Sequence, residues 1–164
     1  MNKTIFTKEG KELIIKRTFD APLKLVWKAW TEPELLDQWW APEPWKSETK
    51  YMEFKEEGTR LYAMVGPKEE RHWGLTRYKS IIPLEEFSGK DSFCDEEGNI
   101  NTSLPVSFFT NEFDEKQGQT HVMIISEYAS QEDLKKIIEM GFEEGLSMTF
   151  DSLDKLLEEK RKEI

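Results

Sequence analysis

The C-terminal segment SQEDLKKIIEMGFEEGLSMTFDSLDKLLEEK, residues 130–160, predicts a single long amphipathic helix. Ser130 followed three residues later by Asp133 is typical of a capping box at the start of a helix. Side chains that suit a buried face then recur at three- and four-residue steps, which is the helical period. They are Leu134, Ile138, Phe142, Leu146, Thr149, Leu153, Leu156 and Leu157. At 1.5 Å per residue, a helix over this segment is more than about 40 Å long.

Two glycines inside this segment need a physical reason. Gly141 and Gly145 are four residues apart and would stack on one helix face. Each destabilises a helix by about 1 kcal/mol relative to alanine. Either the missing side chains allow the helix to approach its neighbour closely, or they leave a hollow beside Phe142, Leu146 and Met148 that holds a ligand. The sequence leaves both explanations open.

The chain before this helix has the pattern of short strands. Residues 4–8 and 12–19 predict two strands joined at Glu9-Gly10, where glycine permits a tight turn. Between residues 46 and 128, runs rich in Tyr, Phe, Val, Ile and Thr alternate with turn signals. Such short connections require hairpins, so this part predicts an antiparallel meander of about six strands.

Two short helices are expected between the first strands and the meander. Pro22 suits the first turn of one helix, because its missing N–H would be unpaired there in any case. Thr31 and Glu34 have the spacing of a capping box and predict the start of the second. Pro42 and Pro44 are expected to end it.

Composition favours one globular domain over residues 1–164 and excludes several functions. The net charge of −10 argues against a nucleic acid or an anionic membrane as partner, since both need a basic surface. Cys94 is the only cysteine, so no internal disulfide can form and a reducing compartment is expected. The N-terminal residues lack the apolar core of a signal peptide, and no apolar run is long enough to span a membrane. We therefore expect a cytoplasmic protein.

Five ordered motifs resemble the Aha-type family, which comprises homologues of the activator of the heat-shock protein 90 ATPase and belongs to the START-like (SRPBCC) superfamily. They are RTFDAP at 17–22, VWKAWTEP at 26–33, WWAP at 39–42, DSFCDEEGN at 91–99 and MGFEEG at 140–145. The resemblance implies an α+β helix-grip (START-like) fold, in which a curved antiparallel sheet of about six to seven strands wraps around the long C-terminal helix, with two short helices after the first strand. It also implies a cavity between that helix and the sheet.

Two positions depart from the pattern of this family. Residues 57–60 read EGTR where relatives usually have Gly-Gly-x-Trp, and Thr76 replaces a glycine that usually precedes the tyrosine at Tyr78. Arg60 shares a strand face with Tyr62 and Met64. If that face lines the cavity, the cation would select an acidic or phenolic ligand group. Alternatively, Arg60 lies near the rim and extends to water, which is the placement that we favour.

Catalytic and metal-binding patterns are weak. His72 and His121 are the only histidines and show no metal-ligand spacing, so we expect neither a metal nor a cofactor. Even spacing along one strand places His72 on the same face as Tyr78, which would suit proton transfer in a cavity, although a structural histidine is the more ordinary explanation. Cys94 is interpreted as a small core hydrophobe. No catalytic residue is assigned.

Bulky aromatic, methionine and glycine positions are the candidate lining of a ligand cavity, although a solid core would use the same residue types. With the polar candidates included, they are Trp39, Trp40, Arg60, Tyr62, Met64, His72, Tyr78, Phe93, Phe109, Met123, Gly141, Phe142, Gly145 and Met148. The leading hypothesis is binding or sensing of a small apolar ligand that is aromatic, polyketide-like or lipid-like. One alternative is a co-chaperone-like module that acts on a heat-shock chaperone, and the other is a cyclase- or dehydratase-like enzyme. The sequence does not determine the oligomeric state.

Overall fold

A computed structural model describes residues 3–163, which form an open, curved antiparallel sheet with helices on one face. The elements in chain order are β1 (Ile5–Glu9), β2 (Glu12–Phe19), α1 (Leu23–Thr31), α2 (Pro33–Leu36), β3 (Lys46–Met52), β4 (Thr59–Val65), β5 (Arg71–Ile82), β6 (Glu86–Cys94), β7 (Ser107–Lys116), β8 (Gln119–Tyr128), α3 (Gln131–Glu139) and α4 (Phe142–Arg161). The strand order across the sheet is β1-β2-β8-β7-β6-β5-β4-β3. The α+β helix-grip architecture predicted from the sequence is confirmed.

The sheet has eight strands, slightly more than the six to seven expected. The six strands from β3 to β8 form the predicted meander, and the N-terminal hairpin continues the same sheet because β2 pairs with β8. In that hairpin, the pairing of Glu9 with Glu12 leaves a two-residue turn, and Gly10 adopts a φ of +62° there. A positive φ of this kind is characteristic of tight hairpin turns and favours glycine. The short helices accordingly follow the second strand.

Aromatic side chains from the sheet and from both groups of helices form the core. Phe19 on β2 meets Trp30 on α1 and Phe150 on α4, each with ring centroids 5.7 Å apart and near-perpendicular planes. Trp30 in turn packs edge-on against Trp39 at 4.8 Å. Edge-to-face contacts of this type add to the stabilisation that comes from burying the rings. The core therefore fixes α1 and α4 on the same face of the sheet.

The C-terminal segment forms two helices, so the prediction of one continuous helix is wrong. Ser130 caps α3 as expected, because its hydroxyl oxygen accepts a hydrogen bond from the Asp133 N–H at 3.1 Å. The chain then leaves the helical conformation at Gly141, whose φ is +89°. Glycine in this left-handed conformation is a common helix terminator. Helix α4 therefore begins at Phe142, and its 20 residues span about 30 Å.

The capping box predicted at Thr31 is also wrong. Thr31 is the last residue of α1, and its hydroxyl donates to the Trp27 carbonyl oxygen at 2.8 Å. Glu32 adopts an extended conformation because the residue before a proline is excluded from the helical region, and Pro33 then starts α2. The restriction imposed by proline thus decides where α1 ends and where α2 begins. The expectation that Pro42 and Pro44 end the second helix is wrong, because α2 already ends at Leu36.

A buried arginine fastens α4 to the sheet. The Arg17 side chain on β2 donates a 2.9 Å hydrogen bond to Asp151 and a second one to Asp154. Its guanidinium carbon also lies 5.6 Å from the centroid of the Phe19 ring. These contacts hold the middle of α4 against β2. Within residues 3–163, no helix is both long and apolar enough to cross a membrane.

Candidate ligand-binding cavity

A cavity of about 400 Å³ lies between the inner face of the sheet and the segment containing α3 and α4. Its volume falls within the range of small-molecule sites, about 300–1,000 Å³. Most of the wall is apolar, and a few polar side chains face inward. Within the described residues, no group of three or more His, Cys, Asp and Glu side chains is placed to hold a metal ion. The cavity is therefore shaped to enclose an organic molecule with limited polar character.

Most of the residues singled out in the sequence come together around this cavity. Those in its wall are Trp40, Arg60, Tyr62, Met64, His72, Tyr78, Phe93, Phe109, Gly141, Phe142 and Gly145. Whether they bind a ligand remains a prediction, but the fold places them in one enclosure.

Three of the predicted residues lie elsewhere. Trp39 is 2% exposed and belongs to the core, where its indole N–H donates to the Ala29 carbonyl oxygen at 3.0 Å. Met123 occupies a position of β8 that points away from the helices, because side chains alternate along a strand and its neighbour Val122 faces the core. Met148 lies on the solvent side of α4 and is 46% exposed. These three placements correct the predicted lining.

A continuous row of polar side chains crosses the cavity wall from β4 to β8. The strand register pairs Arg60 with Thr76, Thr76 with Asp91, Asp91 with Ser107, and Ser107 with Tyr128. All five residues line the cavity, and we call them the polar row. Side chains directly opposite each other on neighbouring strands are about 4.5–5.5 Å apart at their Cβ atoms. The row therefore forms one polar band across an otherwise mostly apolar surface.

Arg60 is buried at one end of the row, so its predicted placement at the rim is wrong. It is 3% exposed, and its Nη2 donates to the Ser47 hydroxyl at 2.9 Å and to Asp37 at 3.4 Å. Its Nε donates to the Thr49 hydroxyl at 3.2 Å, and the guanidinium carbon lies 4.1 Å from the centroid of the Tyr62 ring. The side chain is thus held by partners within the protein. Its positive charge is paired with Asp37 beside the cavity.

Asp91 lies at the centre of the row and is the functional candidate that the site prediction missed. The Thr76 hydroxyl donates to its Oδ1 at 2.6 Å. In the described part of the chain, Asp91 has no other side-chain hydrogen bond and no salt bridge within 4.0 Å. Burial raises the pKa of Asp91 to about 6, against the opposing effects of the Thr76 hydrogen bond and the Arg60 charge. The sequence did contain a pattern that could have identified Asp91 as a cavity residue. It is an even number of residues from Phe87 and Phe93 on β6, so all three side chains face the same side of the sheet.

The aromatic residues with polar groups supply hydrogen-bond donors around Asp91. Burial raises the pKa of Tyr62 and of Tyr78, and it raises the pKa of Tyr128 to about 12, so the three hydroxyls stay protonated at neutral pH. The Trp40 indole N–H is buried near the Tyr62 hydroxyl, but among residues 3–163 no atom meets it in hydrogen-bond geometry. The wall therefore has unused donor capacity.

Two glycines shape the wall from opposite sides. Gly74 lies opposite Tyr62 in the sheet, and a Cβ at this position would be 2.8 Å from the Tyr62 hydroxyl oxygen. Its hydrogen side chain allows the tyrosine ring to lie flat against β5. A Cβ at Gly145 on α4 would meet no atom within 4 Å. Close approach between helix and sheet is therefore excluded as the reason for Gly145, and the hollow remains.

His72 and Tyr78 share the cavity wall, as the strand spacing predicted, but their surroundings differ. Tyr78 is buried, whereas His72 is exposed near the start of β5 and its ring lies 5.3 Å from that of Trp45. This placement favours the structural interpretation of the histidine over a proton-transfer pair.

Comparison with known proteins gives one family and many similar structures. The family model described as "Activator of Hsp90 ATPase homolog 1-like protein" matches residues 20–158. The crystal structure of protein Ms6760 from Mycobacterium smegmatis is 30% identical, with a TM-score of 0.87 and coverage of 94% of this chain and 96% of that one. A solution structure from Arthrobacter aurescens is also 30% identical, with a TM-score of 0.89 and coverage of 94% and 91%. A third, from Staphylococcus epidermidis, is 28% identical over 94% of both chains, with a TM-score of 0.84. No curated protein matches the sequence.

Proposed function

The chain belongs to the family of Activator of Hsp90 ATPase homolog 1-like proteins, and from this premise we propose that it binds or senses a small, mainly apolar ligand in the cavity beside α4. The observation that carries the proposal is a cavity of about 400 Å³ with aromatic walls and a narrow polar band. Small-molecule sites in proteins combine these features, because apolar walls supply affinity and a few polar groups supply orientation. The size suits an aromatic, polyketide-like or short lipid-like molecule.

The open space beside Gly145 supports the same proposal. A glycine in the first turns of α4 lowers helix stability, and no neighbouring atom requires its small size. A ligand that occupies the space would explain why no side chain fills it. The carbon skeleton of such a ligand would lie between α4 and the sheet.

A thermal-shift screen with a library of apolar compounds tests the proposal, with Gly145→Leu as the cavity-filling variant and Met148→Leu as its matched control. The control introduces the same side chain on the solvent side of the same helix. We expect some compounds to stabilise the wild type and Met148→Leu saturably, as mass action requires, and to lose this effect on Gly145→Leu. A library that shifts none of the three proteins, or that shifts the cavity-filled variant equally, would contradict the proposal.

The family description supports a second candidate, stimulation of a heat-shock chaperone ATPase. Fold and family alone do not transfer a function, so a direct assay is needed. The ATPase rate of a purified Hsp90-type chaperone should then rise with the concentration of this protein. The Gly145→Leu variant separates the two candidates, because a surface interaction would survive filling of the cavity. An unchanged rate at saturating protein would count against chaperone activation.

The enzyme alternative gains no support from the geometry of its proposed residues. Arg60 is held by Ser47, Thr49 and Asp37, and His72 lies in an exposed position against Trp45. A cytoplasmic location likewise stays a prediction, based on composition.

A further inference from the structure

The charge balance of the cavity differs from the one that the sequence suggests. The sequence draws attention to Arg60 as a cation that would select an acidic ligand. In the structure, the Arg60 guanidinium is hydrogen-bonded to Ser47 and Thr49 and paired with Asp37. Asp91 is then the charged group in the wall without an ion-pair partner among residues 3–163. The cavity wall therefore contains a carboxylate that the Arg60 charge stabilises only from a distance, with no ion pair in the described part of the chain.

The Asp91 carboxylate is partly buried in the cavity wall and has a single side-chain hydrogen bond among the described residues, which is energetically unfavourable. Taking an ionised group out of water costs several kcal/mol unless charges and hydrogen bonds inside the protein replace the solvent. Here the Thr76 hydroxyl supplies one hydrogen bond, to Oδ1. The raised pKa of Asp91 reflects the same deficit, since burial favours the neutral acid. Among the described residues, the Asp91 carboxylate therefore has no paired cation and no second side-chain hydrogen-bond donor.

The surroundings of Asp91 suit a cation that carries an apolar body. The aromatic residues of the wall include Tyr62, Trp73, Tyr78, Phe93, Phe109 and Tyr128. The faces of such rings attract cations, most strongly where water is excluded. The net charge of −10 also raises the local concentration of cations over anions. Each of these features favours a positively charged ligand over an acidic one.

We propose that Asp91 binds the protonated amine of an amphipathic ligand whose apolar body fills the cavity against α4. This inference rests on the proposed ligand-binding function and specifies its ligand class. The ammonium group would donate to the carboxylate, and the aromatic walls would enclose the carbon skeleton. Among residues 3–163 no cation pairs with Asp91, because Arg60 is paired with Asp37.

Affinity for the amine should depend on pH through Asp91. The groups that face Asp91 from neighbouring strands are Arg60 and Tyr62 on β4, Thr76 and Tyr78 on β5, Ser107 on β7 and Tyr128 on β8, with Asp37 behind Arg60. The tyrosine hydroxyls stay neutral below their raised pKa values. His72 lines the same cavity near the start of β5, so the pH dependence is assigned to Asp91 only where Asp91→Asn abolishes it. Burial raises the pKa of Asp91 to about 6. Lowering the pH through this value removes the carboxylate charge and weakens amine binding.

Isothermal titration with three isosteric probes tests the proposal: phenethylamine, phenethyl alcohol and phenylacetate. The proteins are the wild type, Asp91→Asn, and Asp114→Asn, which removes the same charge from an exposed position on β7. At about pH 7.5 we expect the amine to bind the wild type and Asp114→Asn at least about tenfold tighter than the alcohol. Asp91→Asn should reduce this preference to about twofold or less while it retains alcohol binding. Between about pH 7.5 and 5, amine affinity for the wild type should fall and alcohol affinity should not.

The possible results separate the inference from the function on which it rests. Equal binding of amine and alcohol to the wild type, tighter binding of phenylacetate, or an unchanged amine preference in Asp91→Asn would overturn the amine assignment and leave the ligand-binding function intact. Binding of none of these probes and of no compound in the apolar library would remove the function itself. If Asp91→Asn does not fold, as judged by circular dichroism, the pH dependence of amine binding to a His72→Asn variant decides the question. A loss of amine affinity below about pH 6 supports Asp91, and an affinity that does not change with pH overturns the assignment.

Discussion

Replacing Asp91 by asparagine should make the unliganded protein more stable at neutral pH, although the change removes a native hydrogen-bonding group. The Thr76 hydroxyl can donate to an amide oxygen as it does to the carboxylate. The substitution therefore keeps this hydrogen bond and removes the charge of a partly buried carboxylate. Burial raises the pKa of Asp91 from its ordinary 3.8 to about 6, a difference equivalent to about 3 kcal/mol. This is an upper limit, because water inside the cavity screens the charge.

The direction of the pH dependence follows from proton binding in the two states. The unfolded chain releases the Asp91 proton near pH 3.8, and the folded protein releases it near pH 6. Between these values the folded protein binds more protons, so this residue destabilises the fold progressively as the pH rises. Below pH 3.8 the contribution disappears, and above pH 6 it reaches its full value. Asparagine does not titrate and lacks this dependence.

Urea unfolding of the wild type and Asp91→Asn over a series from about pH 4.5 to 7.5 measures the effect as a difference in free energy of unfolding. We expect the advantage of the variant over the wild type to grow by up to about 2 kcal/mol across this range, with most of the change below about pH 6.5. Asp114→Asn controls for the loss of one negative charge. A difference between wild type and Asp91→Asn that stays constant, or that turns in favour of the wild type as the pH rises, would refute the assignment of a strained carboxylate in the cavity.

Further substitutions test the fold and the cavity wall by the same unfolding measurement. Gly145→Ala should stabilise the protein by up to about 1 kcal/mol, because a Cβ there meets no atom within 4 Å. Gly141→Ala should destabilise it by about 1–2 kcal/mol, because the φ of Gly141 is +89°. Effects of equal sign would contradict the break between α3 and α4. Gly74→Ala should destabilise by about 1–3 kcal/mol by displacing the Tyr62 ring, and a neutral result would show that the ring does not rest on this strand. Leu153→Ala should cost about 2–5 kcal/mol, since the side chain is fully buried, and a loss below about 1 kcal/mol would argue against the seating of α4 on the sheet.

Local sequence patterns predicted the elements but not every boundary between them. Ser130 caps α3 as the spacing indicated, because a cap depends on residues adjacent in sequence. The break at Gly141 was missed because apolar side chains continue at helical steps through Phe142, and periodicity alone cannot distinguish a helical glycine from a left-handed one. At Thr31 the capping pattern was overruled by the proline two residues later, which forces Glu32 out of the helical conformation.

The electrostatics of the cavity depended on contacts that no short pattern contains. Strand alternation correctly indicated that Arg60 shares a face with Tyr62, and both line the cavity. The charge partner of Arg60 is Asp37, 23 residues earlier and at the end of a helix, and its pairing follows only from the tertiary fold. Because Arg60 is paired with Asp37, Asp91 has no ion-pair partner among residues 3–163. The pairing of Arg60 with Asp37, which strand alternation does not predict, therefore changes the expected ligand from an acidic group to an amine.

Two features that destabilise the unliganded protein, the cavity and the Asp91 carboxylate that is unpaired among residues 3–163, would both be relieved by the same ligand. A cavity of about 400 Å³ lacks packing contacts, and the partly buried Asp91 carboxylate with one hydrogen bond retains a desolvation penalty. A ligand with an apolar body and an ammonium group would relieve both, whereas Gly145→Leu should relieve mainly the first and Asp91→Asn only the second. Because Gly145 and Asp91 line the same cavity, their effects on stability at neutral pH should not simply add. Gly145→Leu displaces water that screens the Asp91 charge, so the double variant should exceed the sum of the two single effects by about 0.5 kcal/mol or more. That variant should be the most stable of the series and bind no amine. Strictly additive effects would show that the space beside Gly145 and the Asp91 carboxylate are not coupled through one cavity.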